Sequence, residues 1–409
     1  MKNYVNYLWC DKWFLDGNEA WLIPCEYNAM FHCMLDRKII ELIDRFPDSE
    51  ICSFRRNHYC LKYENEIYCM PDNGDSIFIY HLNSLQFSKI TVKNEHKNRL
   101  HMSDSWCVEG KIYSVSAGLK QIIELSPKDK KILEYYNISD DKNEAIEKSI
   151  MVNTCIFILT SNPNRIYQFD INSKNFSIFN ITKARIRLSN ICYDGKRFWL
   201  GGYGKAIYLW NIEENILKEI ELFLNDFGIF NISDKNKTRK VEFNKILFEY
   251  NVPAFQEMIV IGKLIWLIPF TTNKILYIDK DTYELNVMNI EEEEETIESF
   301  SKCSRRNPRK YFLEYIRSER YIGLYSHKLE CYCEIDTVKK EINYINYSIS
   351  EMSKNKLIDW YKQSKMHQIY YEISYLDRHI FGTDLMKNRV DNNDTNYIKL
   401  GKKIYDSLY

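Results

Sequence analysis

Between residues 10 and 347 apolar and polar positions alternate with a period of two, in short runs separated by turn-forming residues. An amphipathic helix needs apolar positions at 3.6-residue spacing, and these runs lack it. The clearest unit, Asp194 to Leu222, reads DGKRFWLGGYGKAIYLWNIEENILKEIEL. It predicts a turn at Asp194-Gly195, a strand ending in Phe198-Trp199-Leu200 and a corner at Gly201, Gly202 and Gly204. A strand over Ile207 to Leu209, a turn over Asn211 to Asn215 and an outgoing strand follow.

The unit recurs. Trp21, Tyr68, Tyr113, Phe157, Trp199, Trp266 and Ile322 align at one position of the second strand, and the first four steps are 42 to 47 residues long. The last two steps, 67 and 56 residues, carry irregular insertions at 223–250 and 291–309. Each third strand ends in a polar turn, built on Asp36, Asn83, Asp129, Asn172, Asn211, Asp279 or Asp336, side chains that cap their own backbone.

A period of 40 to 50 residues with four short strands is the signature of a propeller blade. One blade cannot bury both its faces, so blades stack and the ring closes. The expected fold is all-β, a seven-bladed propeller of four-stranded blades. The blades fall at about 10–49, 53–93, 102–139, 147–182, 188–222, 251–290 and 310–347, making residues 1–347 one propeller. The aligned aromatics are expected to pack between blades. From 348 to 409 the pattern changes. Leu357, Trp360 and Tyr361, then Ile369, Tyr370 and Ile373, have helical spacing and predict a short α-helical extension that docks on the propeller or on a partner.

Charge and cysteine usage narrow the partners. Lys and Arg number 56 against 57 Asp and Glu, so no global field draws the chain to nucleic acid or membrane. Twelve cysteines in 409 residues are too dilute for a disulfide scaffold, and most sit in apolar runs. With no apolar segment long enough to span a bilayer and no signal-peptide pattern in MKNYVNYLWCDKW, the expectation is a cytoplasmic protein.

The stretches Gly195 to Asn211 and Gly262 to Asp279 share a pattern of Gly-Lys, Trp-Leu, a loop and a strand ending in Asp or Asn. This pattern resembles the blades of bacterial streptogramin-lyase-like, kelch-like and NHL-like propellers, over residues 10 to 347. The lyases would imply a metal and a catalytic histidine on one face, and no histidine of this sequence falls on that pattern. The kelch Gly-Gly pair occurs once, at Gly201-Gly202.

In a propeller the loops between second and third strands and the loops between blades crowd one mouth of the channel. The inter-blade loops carry Arg55, Arg56, Arg99, Arg185, Arg187, Arg305 and Arg306, most of them 12 to 17 residues before the aligned position. Such guanidinium groups suit a carboxylate, phosphate or sulfate. Tyr27, Tyr203, Lys205 and His327 lie in the other mouth loops and extend the candidate site toward a glycan or peptide. The alternative is that these basic residues pair with acids of facing loops.

No cofactor or metal site is expected. His96 and His101 are close in sequence but have no second ligand pair, Cys331 and Cys333 read as structural thiols, and Gly201 to Gly204 lacks the helix of a phosphate loop. The reading is a non-catalytic recognition or scaffold propeller for a small anionic ligand, a glycan or a protein or peptide partner. The alternatives are a lyase or hydrolase acting at the same mouth, and an accessory partner of bacterial biosynthetic enzymes.

Overall fold

The computed structural model describes residues 8, 10, 12–25, 27–47, 57–92, 100–204, 206–221, 230–234, 237–241, 255–269, 274–290, 311–326 and 331–363. Blade one comprises β1 to β4 (Phe14–Asp16, Glu19–Leu22, Ala29–Met34, Ile39–Arg45). Blade two is β5 to β8 (Asn57–Tyr63, Glu66–Pro71, Ser76–His81, Gln86–Thr91), and blade three is β9 to β12 (Met102–Val108, Lys111–Ser116, Gln121–Ser126, Lys131–Asn137). Blade four is β13 to β16 (Ala145–Val152, Cys155–Ser161, Arg165–Asp170, Phe176–Asn180), and blade five is β17 to β20 (Leu188–Tyr193, Phe198–Gly202, Ala206–Asn211, Ile216–Glu221). A two-stranded hairpin, β21 and β22 (Phe230–Asp234, Lys237–Val241), lies within the insertion before blade six. Blade six is β23 to β26 (Phe255–Ile261, Leu264–Pro269, Lys274–Asp279, Leu285–Asn289). Blade seven is β27 to β30 (Tyr311–Arg317, Tyr321–Ser326, Cys331–Asp336, Glu341–Ile345). Every blade runs in chain order, so the fold is the seven-bladed ring that the repeat predicts.

Apolar side chains of the described residues form seven clusters, one in each interface between consecutive blades. Trp21, Tyr68, Tyr113, Phe157, Trp199 and Trp266 are buried, and each belongs to the cluster shared with the following blade. Blade seven departs from the alignment. Ile322 packs with Trp266 on the side of blade six, and Gly323 is the third residue of β28, the place that Trp21, Tyr68, Tyr113 and Trp266 occupy in their strands. A Cβ on Gly323 would lie 2.3 Å from the Tyr315 ring, because Tyr315, reaching over from β27, fills the space of the missing aromatic.

The third-to-fourth turns are alike in backbone. Lys38, Leu85, Lys130, Lys174, Asn215, Tyr283 and Lys340 close them with φ between 49° and 64°, a left-handed conformation reached without glycine. The expected caps form at Asn211, Asp279 and Asp336, each accepting two backbone N–H groups. In blade four the cap is Asp170, which accepts from the amides of Asn172 and Ser173, so Asn172 is a donor there.

The ring is sealed between blades seven and one. Trp13 is buried with its ring centroid 5.5 Å from Tyr315 and 5.2 Å from both Tyr332 and Tyr347, and its amide donates to the Glu314 carbonyl at 2.7 Å. After Tyr347 the chain adds β31 (Ser348–Ile349), which pairs in parallel with the outer edge of blade one. Helix α1 (Glu351–Gln363) follows. The Ser350 hydroxyl accepts from the Ser353 amide at its first turn, and the Ser353 hydroxyl accepts the Leu42 amide at 2.8 Å. Leu357 is buried against blade one, so this part of the predicted extension docks in cis. The helical spacing at Ile369, Tyr370 and Ile373 lies outside the described residues.

Candidate functional site

In each of blades two to seven the register between the first and second strands slips by one residue. The residue left opposite nothing is His58, Ser103, Glu147, Ser189, Gln256 or Glu314. A bulge of this kind bends the strand and re-aims a side chain. All six are polar, and they sit on the innermost strands near the end where blades hand over to one another. We call this end the upper mouth. Between these strands Lys148 and Glu257, of blades four and six, form an ion pair at 2.8 Å past blade five. The Ser149 hydroxyl donates to Asp104 at 2.8 Å, tying blade four to blade three.

Two constellations stand at this mouth. The first is centred on Arg187, in the loop entering blade five. Its Nη2 donates to Glu147 Oε1 at 2.5 Å, its Nε to the Ser161 hydroxyl at 3.2 Å, and its guanidinium stacks 4.6 Å from the Tyr203 centroid. Burial opposes the charge of Arg187, and the bond and attraction to Glu147 outweigh it, so the guanidinium is held above its usual pKa. The loop comes this close because position 202 is glycine. A Cβ there would lie 2.0 Å from the Arg187 carbonyl oxygen, which itself accepts the Tyr203 amide at 2.9 Å. The corner that the sequence predicts over Gly201 to Gly204 starts later: Gly201 and Gly202 still pair with β17, and the chain bends at Tyr203 and Gly204.

The second constellation joins blades two and three. His58 comes from the bulge of β5, Asp72 from the loop after β6, and His101 from the loop entering β9. Their ligand atoms all lie within 4.8 Å of one another. His101 Nδ1 is 2.9 Å from Asp72 Oδ1, and the two imidazoles lie 5.5 Å apart at 24°. Asp72 is fully buried, whereas the His101 side chain is 34% exposed to the mouth. The His101 amide donates to the Asp72 carbonyl and its own carbonyl accepts the Ala117 amide, both at 2.9 Å, so its backbone is pinned on two sides.

Of the candidate site residues, the structure brings Arg187 and Tyr203 together, and Arg187 is ion-paired with Glu147, which lies on β13 and not in a facing loop. Arg185 lies two residues away in the same loop, with its amide donating to the Tyr208 hydroxyl at 3.1 Å. Tyr27 is buried in the cluster between blades one and seven. Arg55, Arg56, Arg99, Lys205, Arg305, Arg306 and His327 lie outside the described residues.

The sequence reading did not find the ring of bulged residues or the grouping of His58, Asp72 and His101. A signal was present: the bulged residue stands ten positions before the aligned aromatic in each of blades two to six.

No family model matches the chain, and no curated protein matches it in sequence. The fold is similar to a streptogramin B lyase structure, with TM-score 0.53 and 9% identity over 84% of this chain and 96% of that one. It is also similar to a chain of the mitotic checkpoint complex, with TM-score 0.50 and 8% identity over 84% and 88%. A third similar structure is the WD40 repeats of RRP9, with TM-score 0.51 and 9% identity over 79% and 89%. At these identities the likeness is one of fold.

Proposed function

We propose that this protein is a recognition propeller that takes a small anionic molecule, a glycan or an acidic peptide at its upper mouth. The observation that carries this reading is Arg187, fixed by Glu147, Ser161 and Tyr203 with 29% of its side chain open. A guanidinium held in place loses little entropy on binding, so its remaining N–H donors are presented at low cost. Glu147 balances much of its charge. What Arg187 offers is therefore directed hydrogen bonds beside an aromatic face, which suits a carboxylate or sugar hydroxyl better than bulk counter-ions. No helix among the described residues is long and apolar enough to cross a membrane. We place the protein in the cytoplasm on the strength of its cysteines, most of those described being buried thiols in apolar surroundings.

The test is a thermal-shift and calorimetric screen of carboxylates, phosphates, acidic peptides and acidic oligosaccharides against the wild-type chain and Arg187→Ala. A stabilising ligand whose effect disappears in the variant, with the variant's circular dichroism unchanged, is the expected result. Ligands that bind the variant as well as the wild type would refute the assignment. A second reading, an enzyme acting on a small molecule or carbohydrate at the same mouth, is favoured by the convergence of His58, Asp72 and His101, since groups that move protons must meet at one point.

A further inference from the structure

The geometry points to His58, Asp72 and His101 as the three protein ligands of a divalent transition-metal site, with zinc the ion best matched. The inference stands on these three residues alone and does not depend on the Arg187 reading. Two imidazoles and one carboxylate form a ligand set for borderline ions such as Zn²⁺, Co²⁺ or Fe²⁺; magnesium and calcium prefer oxygen donors. Bonds of about 2.0 to 2.2 Å would set neighbouring donors a little over 3 Å apart. The three donors already lie within 4.8 Å of one another, and one pair is at 2.9 Å. Modest side-chain rotation closes the rest.

A simple His101–Asp72 hydrogen bond accounts for two members of the group. His58, turned toward both by a register slip, brings a third donor to within 4.8 Å of the other two. Asp72, fully buried, supplies the oxygen donor of the set from a place shielded from bulk water. The three ligands come from separate elements, the innermost strand and two mouth loops, each pinned by backbone hydrogen bonds or sheet pairing. His101, with 34% of its side chain exposed, is the side from which an ion would reach the buried Asp72 and His58.

The experiment uses full-length, tag-free protein freed of metal by chelation, then titrated with Co²⁺ and Zn²⁺. The expected results are one ion per chain by elemental analysis, visible Co²⁺ absorption of a four- or five-coordinate site, and a metal-dependent rise in Tm. His101→Ala, at the most exposed ligand, should lower Co²⁺ affinity by about tenfold or more without changing the circular dichroism. Asp72→Asn should do the same, and His58→Ala serves as the second variant if Asp72→Asn fails to fold. Substoichiometric uptake by the wild type, or uptake that persists unchanged in His101→Ala as adventitious binding at other histidines, would overturn the assignment.

Discussion

The ammonium of Lys174 lies 4.6 Å from the centroid of the Tyr113 ring, in the blade before its own. It also donates to the Tyr113 hydroxyl at 2.5 Å and to Glu124 at 2.9 Å. The same clasp recurs where Lys130 meets Tyr68 and Glu66, and its cation–ring contact recurs where Lys340 lies 4.5 Å over Trp266. In all three the lysine closes a third-to-fourth turn in the left-handed conformation. Lys174→Met keeps the aliphatic stem and removes the charge. It should lower stability by about 1–2 kcal/mol in urea denaturation, the size of a part-buried cation–π contact with a charged hydrogen bond. An unchanged midpoint would reduce the clasp to packing.

Glu124 gives this clasp a pH dependence. Burial alone would raise its carboxyl pKa, but hydrogen bonds from Lys111, Tyr136 and Lys174 prevail and hold it down to about 2. A carboxyl lowered on folding stabilises fully above its unfolded value of about 4.5 and loses that contribution as pH falls toward 2. Glu124→Gln should therefore be less stable than wild type at neutral pH, by about 2 kcal/mol or more. The two melting curves should converge between about pH 4.5 and 2. A gap that stays constant across that window would contradict the linkage.

Leu85 occupies the same turn position in blade two with φ 56°, yet its side chain is 68% exposed. Here the left-handed backbone costs free energy and no clasp offsets it. Leu85→Asn should raise stability by about 0.5–1 kcal/mol, since Asn tolerates this conformation. The same change at Lys174 should lower it. Equal signs at both positions would show that the turn, and not the clasp, sets the preference.

Gly323 and Tyr315 form a complementary pair, one supplying the space the other fills. Gly323→Ala should cost about 1–3 kcal/mol by displacing the ring. It should also disturb the Tyr315 hydroxyl bond to Glu334, which measures 3.0 Å. In a double-mutant cycle with Tyr315→Leu, the second change should recover part of the loss. Strict additivity would mean that the ring yields freely.

The blade pattern was legible because it rests on period two and on large aromatics such as Trp199 and Trp266, which one chain shows plainly. Blade seven was misregistered by one residue because the aromatic filling that interface, Tyr315, comes from a different strand, and alignment along the second strand sees only Ile322 and Gly323. The grouping of His58, Asp72 and His101 was illegible for another reason. The first and last are 43 residues apart in adjacent blades, and a bulge shifts His58 out of the alternation that marks which face a strand residue takes. Arg187 was found by its place in an inter-blade loop. Its partner Glu147 was not, because it lies on a strand of the preceding blade.

The parallel pairing of Ser348–Ile349 with β4 also has a temporal side. Ribosomes make blade one first and β31 some three hundred residues later. Until then the outer edge of the first sheet, including the Leu42 amide that Ser353 accepts, stands without its final partner. A chain cut short before residue 348 would keep the Trp13 seal with Tyr315, Tyr332 and Tyr347 but would leave that edge bare, a ready template for pairing with another chain.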